Sequence, residues 1–252
     1  TVFNSIDTIE TSLKSVFRSD AEIVVVDGGS KDGTYEKLIE LSKEFNLKVY
    51  RLPGSSRGLG RDYALRKCPE NSYASFFDLD DEYNEYYHKS IEWGSSLGIQ
   101  NPLPHLVLRE YAIKKGGWRD LNYGEDYELL ARLGFKFNLP IPLKNVIVKT
   151  KSKREKRYTS SFLKYTLRII KSGIDDYRGI GYKIDERIKS EFSKSNFLFN
   201  YSLSFILLEA MIGNIIGTYR VSKYLNNVEL ADLLRAYKSI GLETIGISKS
   251  LS

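Results

Sequence analysis

Two hydrophobic rhythms alternate along the first 150 residues. Ile6, Ile9, Leu13, Val16 and Phe17 recur at helical spacing, which predicts a helix with Asn4 or Ser5 as its cap. Residues 23–26 form an unbroken β-branched run, which predicts a buried strand ending at Asp27. A polar, glycine-rich run follows over 28–34, then a helix with Leu38, Ile39 and Phe45 on its apolar face. A second strand is predicted over 48–52, closed by Pro53-Gly54. The run 55–62 holds two more glycines and leads into a helix through Ala64 and Leu65. Residues 73–77 read as a short buried strand, and three acids, Asp78, Asp80 and Asp81, follow within four positions. Next come a helix through Tyr86, Ile91 and Trp93, a strand at 106–108 and a turn at 114–118. A short helix over 124–134 has acids at its start and Gly134 at its end. Strand, glycine-rich turn and helix in alternation predict an α/β domain with a largely parallel sheet. Ligands of such sheets sit beyond the carboxyl ends of the strands, where Asp27 and Asp78 fall.

The last hundred residues pattern differently. Residues 161–171 predict a basic amphipathic helix with Phe162, Tyr165, Ile169 and Ile170 on one face. Residues 197–219 are richly apolar but interrupted by Asn200, Glu209 and Asn214. The uncharged run before Glu209 is shorter than the roughly 20 residues of a spanning helix, so a buried or membrane-surface helix is the preferred reading. A final amphipathic helix is predicted near 228–240 through Leu230, Leu233, Leu234 and Tyr237. Charge divides at the same place. Residues 1–150 hold 20 Lys+Arg against 22 Asp+Glu, a balance of −2, and residues 151–252 hold 18 against 10, a balance of +8. The basic run 151–157 marks the step, which predicts a boundary between a domain over 1–150 and a basic, mainly helical region over 151–252. One cysteine, Cys68, excludes an internal disulfide and a cysteine-based zinc site, and two histidines, His88 and His105, argue against a His-rich metal site.

Three stretches carry candidate chemistry. Asp78 and Asp80 can turn to share a divalent cation, or split between a metal and a polar ligand, because hard cations that also hold phosphate use few carboxylates. A solvated acidic turn is the plainer alternative. The loop over 27–33 fits neither Walker A nor Gly-x-Gly-x-x-Gly spacing and by itself reads as a strand-to-helix turn with glycines for backbone freedom. The loop over 55–62 offers helix amides and arginines to a diphosphate, or only a capped helix with solvated arginines. Glu125 and Asp126 complement a helix dipole unless something outside their segment gives them further work.

Taken in order, these stretches resemble glycosyltransferase family 2, the nucleotide-sugar transferases of the GT-A fold. Thr1-Val2-Phe3-Asn4 resembles the end of that family's first strand, so the resemblance implies an apolar strand before Thr1. The run 26–34 is similar to its base-binding loop, and Gly58-Leu59-Gly60-Arg61-Asp62 to its Gly-x-x-x-Arg-Asn segment, with Asp62 in place of Asn. Asp78-Leu79-Asp80 resembles its Asp-x-Asp motif. Gly117-Trp118, Gly124-Glu125-Asp126 and Arg132-Leu133 are similar to its acceptor-side motifs.

The resemblance implies that Asp27 accepts from the donor base, in a loop with Gly29, Ser30 and Asp32. Asp78, with Leu79, meets the ribose or the metal. Asp80 binds Mn²⁺ or Mg²⁺ bridging the diphosphate, and Arg61 adds a second positive contact. Asp126 is the general base of an inverting transfer, Glu125 orients it or holds the acceptor, and Trp118, after Gly117, floors the acceptor site. Many relatives complete the metal site with a His after the Glu-Asp helix. Residues 146–150 hold none, which leaves Lys149 to neutralise the diphosphate or water to complete the metal.

The leading expectation is therefore a metal-dependent, inverting glycosyltransferase with a GT-A domain and a basic helical appendage. Its donor is linked to UDP or GDP. A lipid-linked acceptor and a peripheral place at the inner face of the cell membrane fit the basic amphipathic helix. A nucleotide-sugar-binding module without turnover is one alternative. A nucleic-acid-binding protein using residues 151–157 is another, but no aromatic–basic platform accompanies them, so no nucleic acid is expected.

Overall fold

The computed structural model describes residues 1–96, 106–133, 144–146, 162–179, 208, 210–213 and 215. Parallel strands flanked by helices make an α/β architecture. The first helix, α1, is Ile9–Val16, and it buries Ile9, Ser12, Leu13 and Val16 on one face. Its expected caps do other work. The Ser5 carbonyl accepts from the Thr8 and Ile9 amides. Asn4 adopts a positive φ of 50° and accepts the Lys31 amide through its side chain.

Strand β1 (Ile23–Asp27) pairs in parallel with β2 (Leu47–Arg51), Ile23 opposite Leu47 and Asp27 opposite Arg51. Val2 bridges to Asp27 on the other side of β1, also in parallel. A strand flanked on both sides reads as a continuous apolar run, which is what residues 23–26 are. Helix α2 (Thr34–Leu41) buries Thr34, Leu38 and Leu41. Ile39 was expected beside Leu38 but is exposed. One residue is about 100° of helix turn, so the buried stripe runs through 34, 38 and 41.

Helix α3 is Arg57–Lys67, capped by the Ser56 hydroxyl, which accepts the Leu59 amide. The strand predicted over 73–77 shrinks to β3, Tyr73–Ala74, antiparallel to β5, Val107–Leu108. The chain leaves the ladder because its aromatics are claimed by different cores. Phe76 packs edge-on to Trp118 in one cluster, and Phe77 packs on Tyr83 in the other. Asp78–Asp80 therefore lie on a loop between β3 and β4 (Asp81–Tyr83), not directly at a strand end. Strand β4 pairs antiparallel with β6 (Lys144–Val146), Asp81 opposite Val146. Where one largely parallel sheet was expected, the described strands form three two-stranded sheets, β1–β2 parallel and β3–β5 and β4–β6 antiparallel.

Helices α4 (Glu85–Ser96), α5 (Arg109–Lys114), α6 (Glu125–Leu133) and α7 (Phe162–Gly179) complete the described elements. Of the apolar stretch 197–219, only 208, 210–213 and 215 are described, as helix. The basic run 151–157, Lys149 and the helix expected near 228–240 lie outside the described residues. Among the described residues, no helix is long and apolar enough to cross a membrane.

Candidate active site

A cavity of about 420 Å³ opens where the chain's first residues, the start of α3 and the β3–β4 loop converge. Small-molecule sites ordinarily span roughly 300–1,000 Å³. Ser55 and Ser56 line it from the turn before α3 and Arg57 from the helix's first position, Asp78, Leu79 and Asp80 from the β3–β4 loop, and Asn122 from the loop before α6.

The acid loop is held by its backbone. On the buried face of α1, the Thr8 hydroxyl donates to the Leu79 carbonyl at 2.8 Å. The Ser12 hydroxyl reaches the Asp81 and Asp78 carbonyls at 2.7 and 3.2 Å. The Asp78 amide donates to the Tyr83 hydroxyl at 2.8 Å. Burial, reinforced by the Asp78 charge, pushes that phenol far above its ordinary range and keeps it protonated. With the backbone fixed, Asp78, Asp80 and Asp81 each bring a carboxylate oxygen within 4.8 Å of the others. Oxygens sharing one cation at about 2.0–2.6 Å stand no more than about 5 Å apart, so this all-oxygen set fits a hard divalent cation. Asp81 is a third carboxylate that the Asp-x-Asp spacing did not single out. Its signal was the run of three acids.

Arg61 joins this loop to α6. It is 5% exposed, and it donates to Asp78 Oδ1 at 2.9 Å and to Glu125 Oε1 at 2.7 Å. Its guanidinium lies 4.5 Å from the Phe76 ring centroid and 5.0 Å from that of Trp118. Arg61, expected to contact a diphosphate, here forms an internal bridge between two carboxylates. Glu125 is buried and also receives Arg57 at 3.4 Å. Burial pushes the Glu125 carboxyl above its ordinary value, the Arg61 and Arg57 charges pull it back, and the Asp126 charge adds to the push.

Asp27 is fully buried at the end of β1. Its carboxylate accepts the Gly29 and Ser30 amides at 3.0 and 3.1 Å and faces Arg51 at 3.3 Å. The chain's first residues stitch the rest of this loop: the Asn4 amide donates to Ser30 Oγ, and the Ile6 amide to Asp32. Asp32 lies below its ordinary value. Burial raises it, but the Thr34 hydroxyl and the Ile6 and Thr34 amides together outweigh burial. Gly28 from this loop lines the cavity, whereas Asp27, Gly29, Ser30 and Asp32 do not.

Residues 1–91 match the family described as Glycosyl transferase family 2. The match covers this part of the chain alone. The segment contains the Asp27 loop, Arg61 and the three clustered acids, while Trp118, Glu125 and Asp126 lie beyond it. Solved structures of S. aureus TarS are similar at low identity. One TarS structure is 20% identical over 52% of this chain and 32% of that chain, with a TM-score of 0.45. TarS 1–349 is 19% identical over 52% of each chain, with a TM-score of 0.46. TarS 1–349 in complex with UDP is 15% identical over 84% of this chain and 86% of that chain, with a TM-score of 0.43. The chain thus spans about a third of the first TarS chain and about half of the second. No curated protein matches the sequence.

Beyond the matched segment, Gly117, Trp118 and the turn that carries them are bound to it. Asp62, where the family resemblance has Asn, accepts the Trp118 amide at 2.9 Å. Gly117 has a φ of 63°, and a Cβ there would meet Asp62 Oδ1 at 1.9 Å, so the turn needs glycine twice over. The Trp118 ring is buried in the second apolar cluster beneath Arg61 and does not line the cavity. Buried Glu128 pairs with Arg132 at 2.8 Å, and Arg132 also donates to the Lys115 and Gly117 carbonyls, tying this turn to α6. Asp126 follows Glu125 in the first turn of α6 and is half-buried. Asn122 and Glu128 were not singled out by sequence pattern, because an asparagine and a glutamate on polar faces look like solvated surface.

Proposed function

We propose that the chain is a metal-dependent, inverting glycosyltransferase that uses a nucleoside-diphosphate sugar. The observation that carries this reading is the trio Asp78, Asp80 and Asp81, clustered within 4.8 Å beside a cavity in a family 2 segment. The three carboxylates are hard oxygen ligands suited to Mn²⁺ or Mg²⁺, and such an ion screens charge on a departing diphosphate. Ser55, Ser56 and Arg57 at the start of α3 line the same cavity, where the helix dipole and the Arg57 charge favour an anionic group. Asp27 shapes the loop that receives the base, with Gly29, Ser30 and Asp32, and Leu79 packs beneath the donor.

Asp126 takes the proton of an acceptor hydroxyl as that oxygen bonds to the anomeric carbon. The bond from that carbon to the diphosphate breaks on the opposite face, and the nucleoside diphosphate leaves with its electron pair. Glu125, fastened by Arg61 and Arg57, orients the turn that carries Asp126. Gly117 and Trp118 support the acceptor side from beneath. A lipid-linked acceptor at an anionic membrane surface suits the basic residues 151–252, whose balance is +8.

Hydrolysis of a panel of UDP- and GDP-sugars, with and without Mn²⁺, tests the reading. Metal-stimulated release of UDP or GDP from one donor is expected. Binding of nucleotide sugar without turnover of any donor, even with acceptors added, would make the chain a binding module.

A further inference from the structure

The loop that precedes α6 is held from both sides. On one side is α3: the Gly58 amide donates to the Leu121 carbonyl at 2.9 Å, and the Arg57 amide donates to Asn122 Oδ1 at 3.1 Å. A Cβ on Gly58 would stand 1.8 Å from the Arg119 carbonyl oxygen, so loop and helix are in backbone contact. On the other side is α7, which belongs to the C-terminal region and lies outside the family 2 segment. Asp175 Oδ2 accepts the Asn122 amide at 2.9 Å, and Asp175 is only 8% exposed. Arg178 reaches Asp175 Oδ1 at 3.3 Å and the Asp120 carbonyl at 3.4 Å. A Cβ on Gly179 would come within 2.8 Å of Leu121 Cδ1, so α7 packs directly on the loop. Asn122, the residue clasped between the two helices, lines the cavity with Ser55, Ser56 and Arg57.

We propose that Asp175 is a positioning residue, through which α7 of the C-terminal region holds Asn122 and the start of α3 in the geometry that receives the donor diphosphate. This rests on the nucleotide-sugar reading of the cavity. Asp175 acts through Asn122 and does not line the cavity. The Asn122 side chain accepts the Arg57 amide, the first of α3, and so fixes the start of that helix in the cavity wall that Asp78 and Asp80 also line. The appendage on this account braces the active-site wall from behind, in addition to any membrane role. No sequence motif marked Asp175, because a lone acid in an amphipathic helix reads as solvated.

The test uses the full chain with Asp175→Ala and Asp175→Asn. The alanine variant removes the acceptor, while the asparagine variant keeps an oxygen for the Asn122 amide. Two readouts are needed: calorimetric affinity for UDP and GDP with Mn²⁺, and amide hydrogen exchange at Asn122, Arg57 and the β1 residues Val25 and Val26. Loss of a hydrogen bond to a charged acceptor predicts about tenfold weaker nucleotide binding in Asp175→Ala. Exchange should quicken at Asn122 and Arg57 while β1 stays protected, and Asp175→Asn should recover most of both. Wild-type affinity in Asp175→Ala, unchanged Asn122 exchange, or loss of β1 protection alongside it overturns the proposal. Failure of the wild-type chain to bind either nucleotide overturns the reading of the cavity instead, and Asn122 exchange then decides the clamp by itself.

Discussion

Arg61 keeps a full positive charge away from water by giving it two carboxylates and two aromatic faces. Breaking a buried pair strands the remaining charge, so Arg61→Ala should cost on the order of 3 kcal/mol. The pH dependence has a definite sign. Burial already raises Glu125, and removing Arg61 raises it further, so the folded chain binds more protons than the unfolded one just above the ordinary carboxylate range. Stability of the variant should therefore fall as pH rises through that interval. Urea unfolding should show a small deficit near about pH 4 and the full one at neutrality. An equal deficit at both would mean that Glu125 is not the group left stranded. A second prediction concerns Asp126. Asn has nearly the same shape but cannot take a proton, so Asp126→Asn should slow single-turnover transfer about 10²–10⁴-fold while donor affinity barely changes. Near-wild-type transfer would remove the base role and shift it to Glu125 or to a retaining mechanism. At this scale the acids were legible because carboxylates at loop positions stand out in sequence. The destination of Arg61 was not, since it depends on Glu125, 64 residues away, and on two rings from different elements.

At the level of elements, the helices and strands follow the apolar rhythm, and their errors have local causes. Ile39 faces water because the stripe of α2 is set by Thr34, Leu38 and Leu41. The run 73–77 looked like one strand, but its two phenylalanines serve different clusters, and the ladder with β5 stops after Ala74. Asn4 and Ser5 looked like caps, yet they stitch the Asp27 loop because Val2 has already docked on β1. Gly58 offers a test of how α3 meets the loop before α6. Helix propensity alone favours Ala over Gly by about 1 kcal/mol. Here the added Cβ would lie 1.8 Å from the Arg119 carbonyl, so overpacking by roughly 1–3 kcal/mol should dominate. Gly58→Ala should melt at a lower temperature than wild type and bind nucleotide more weakly. A higher melting temperature would show that loop and helix separate without cost.

For the whole molecule, charge divides the chain into a near-neutral part and a basic one, and α7 crosses that division to reach Asn122. The division was legible in composition, whereas the contact across it was not, because no local pattern encodes which loop a helix will meet. Basic residues near an anionic surface contribute about 1 kcal/mol each and are screened by salt. The chain should therefore float with anionic vesicles at low salt and be released at high salt. No flotation at low salt would leave residues 151–252 with the clamp alone. The central claim is that Asp78, Asp80 and Asp81 form a metal site for a nucleoside diphosphate. Titration calorimetry of UDP and GDP into the wild-type chain and Asp80→Ala, each with and without Mn²⁺, tests it most directly. The account predicts that Mn²⁺ strengthens binding of one nucleotide to the wild type and has no such effect on Asp80→Ala. Equal Mn²⁺-stimulated affinity in both proteins would contradict it.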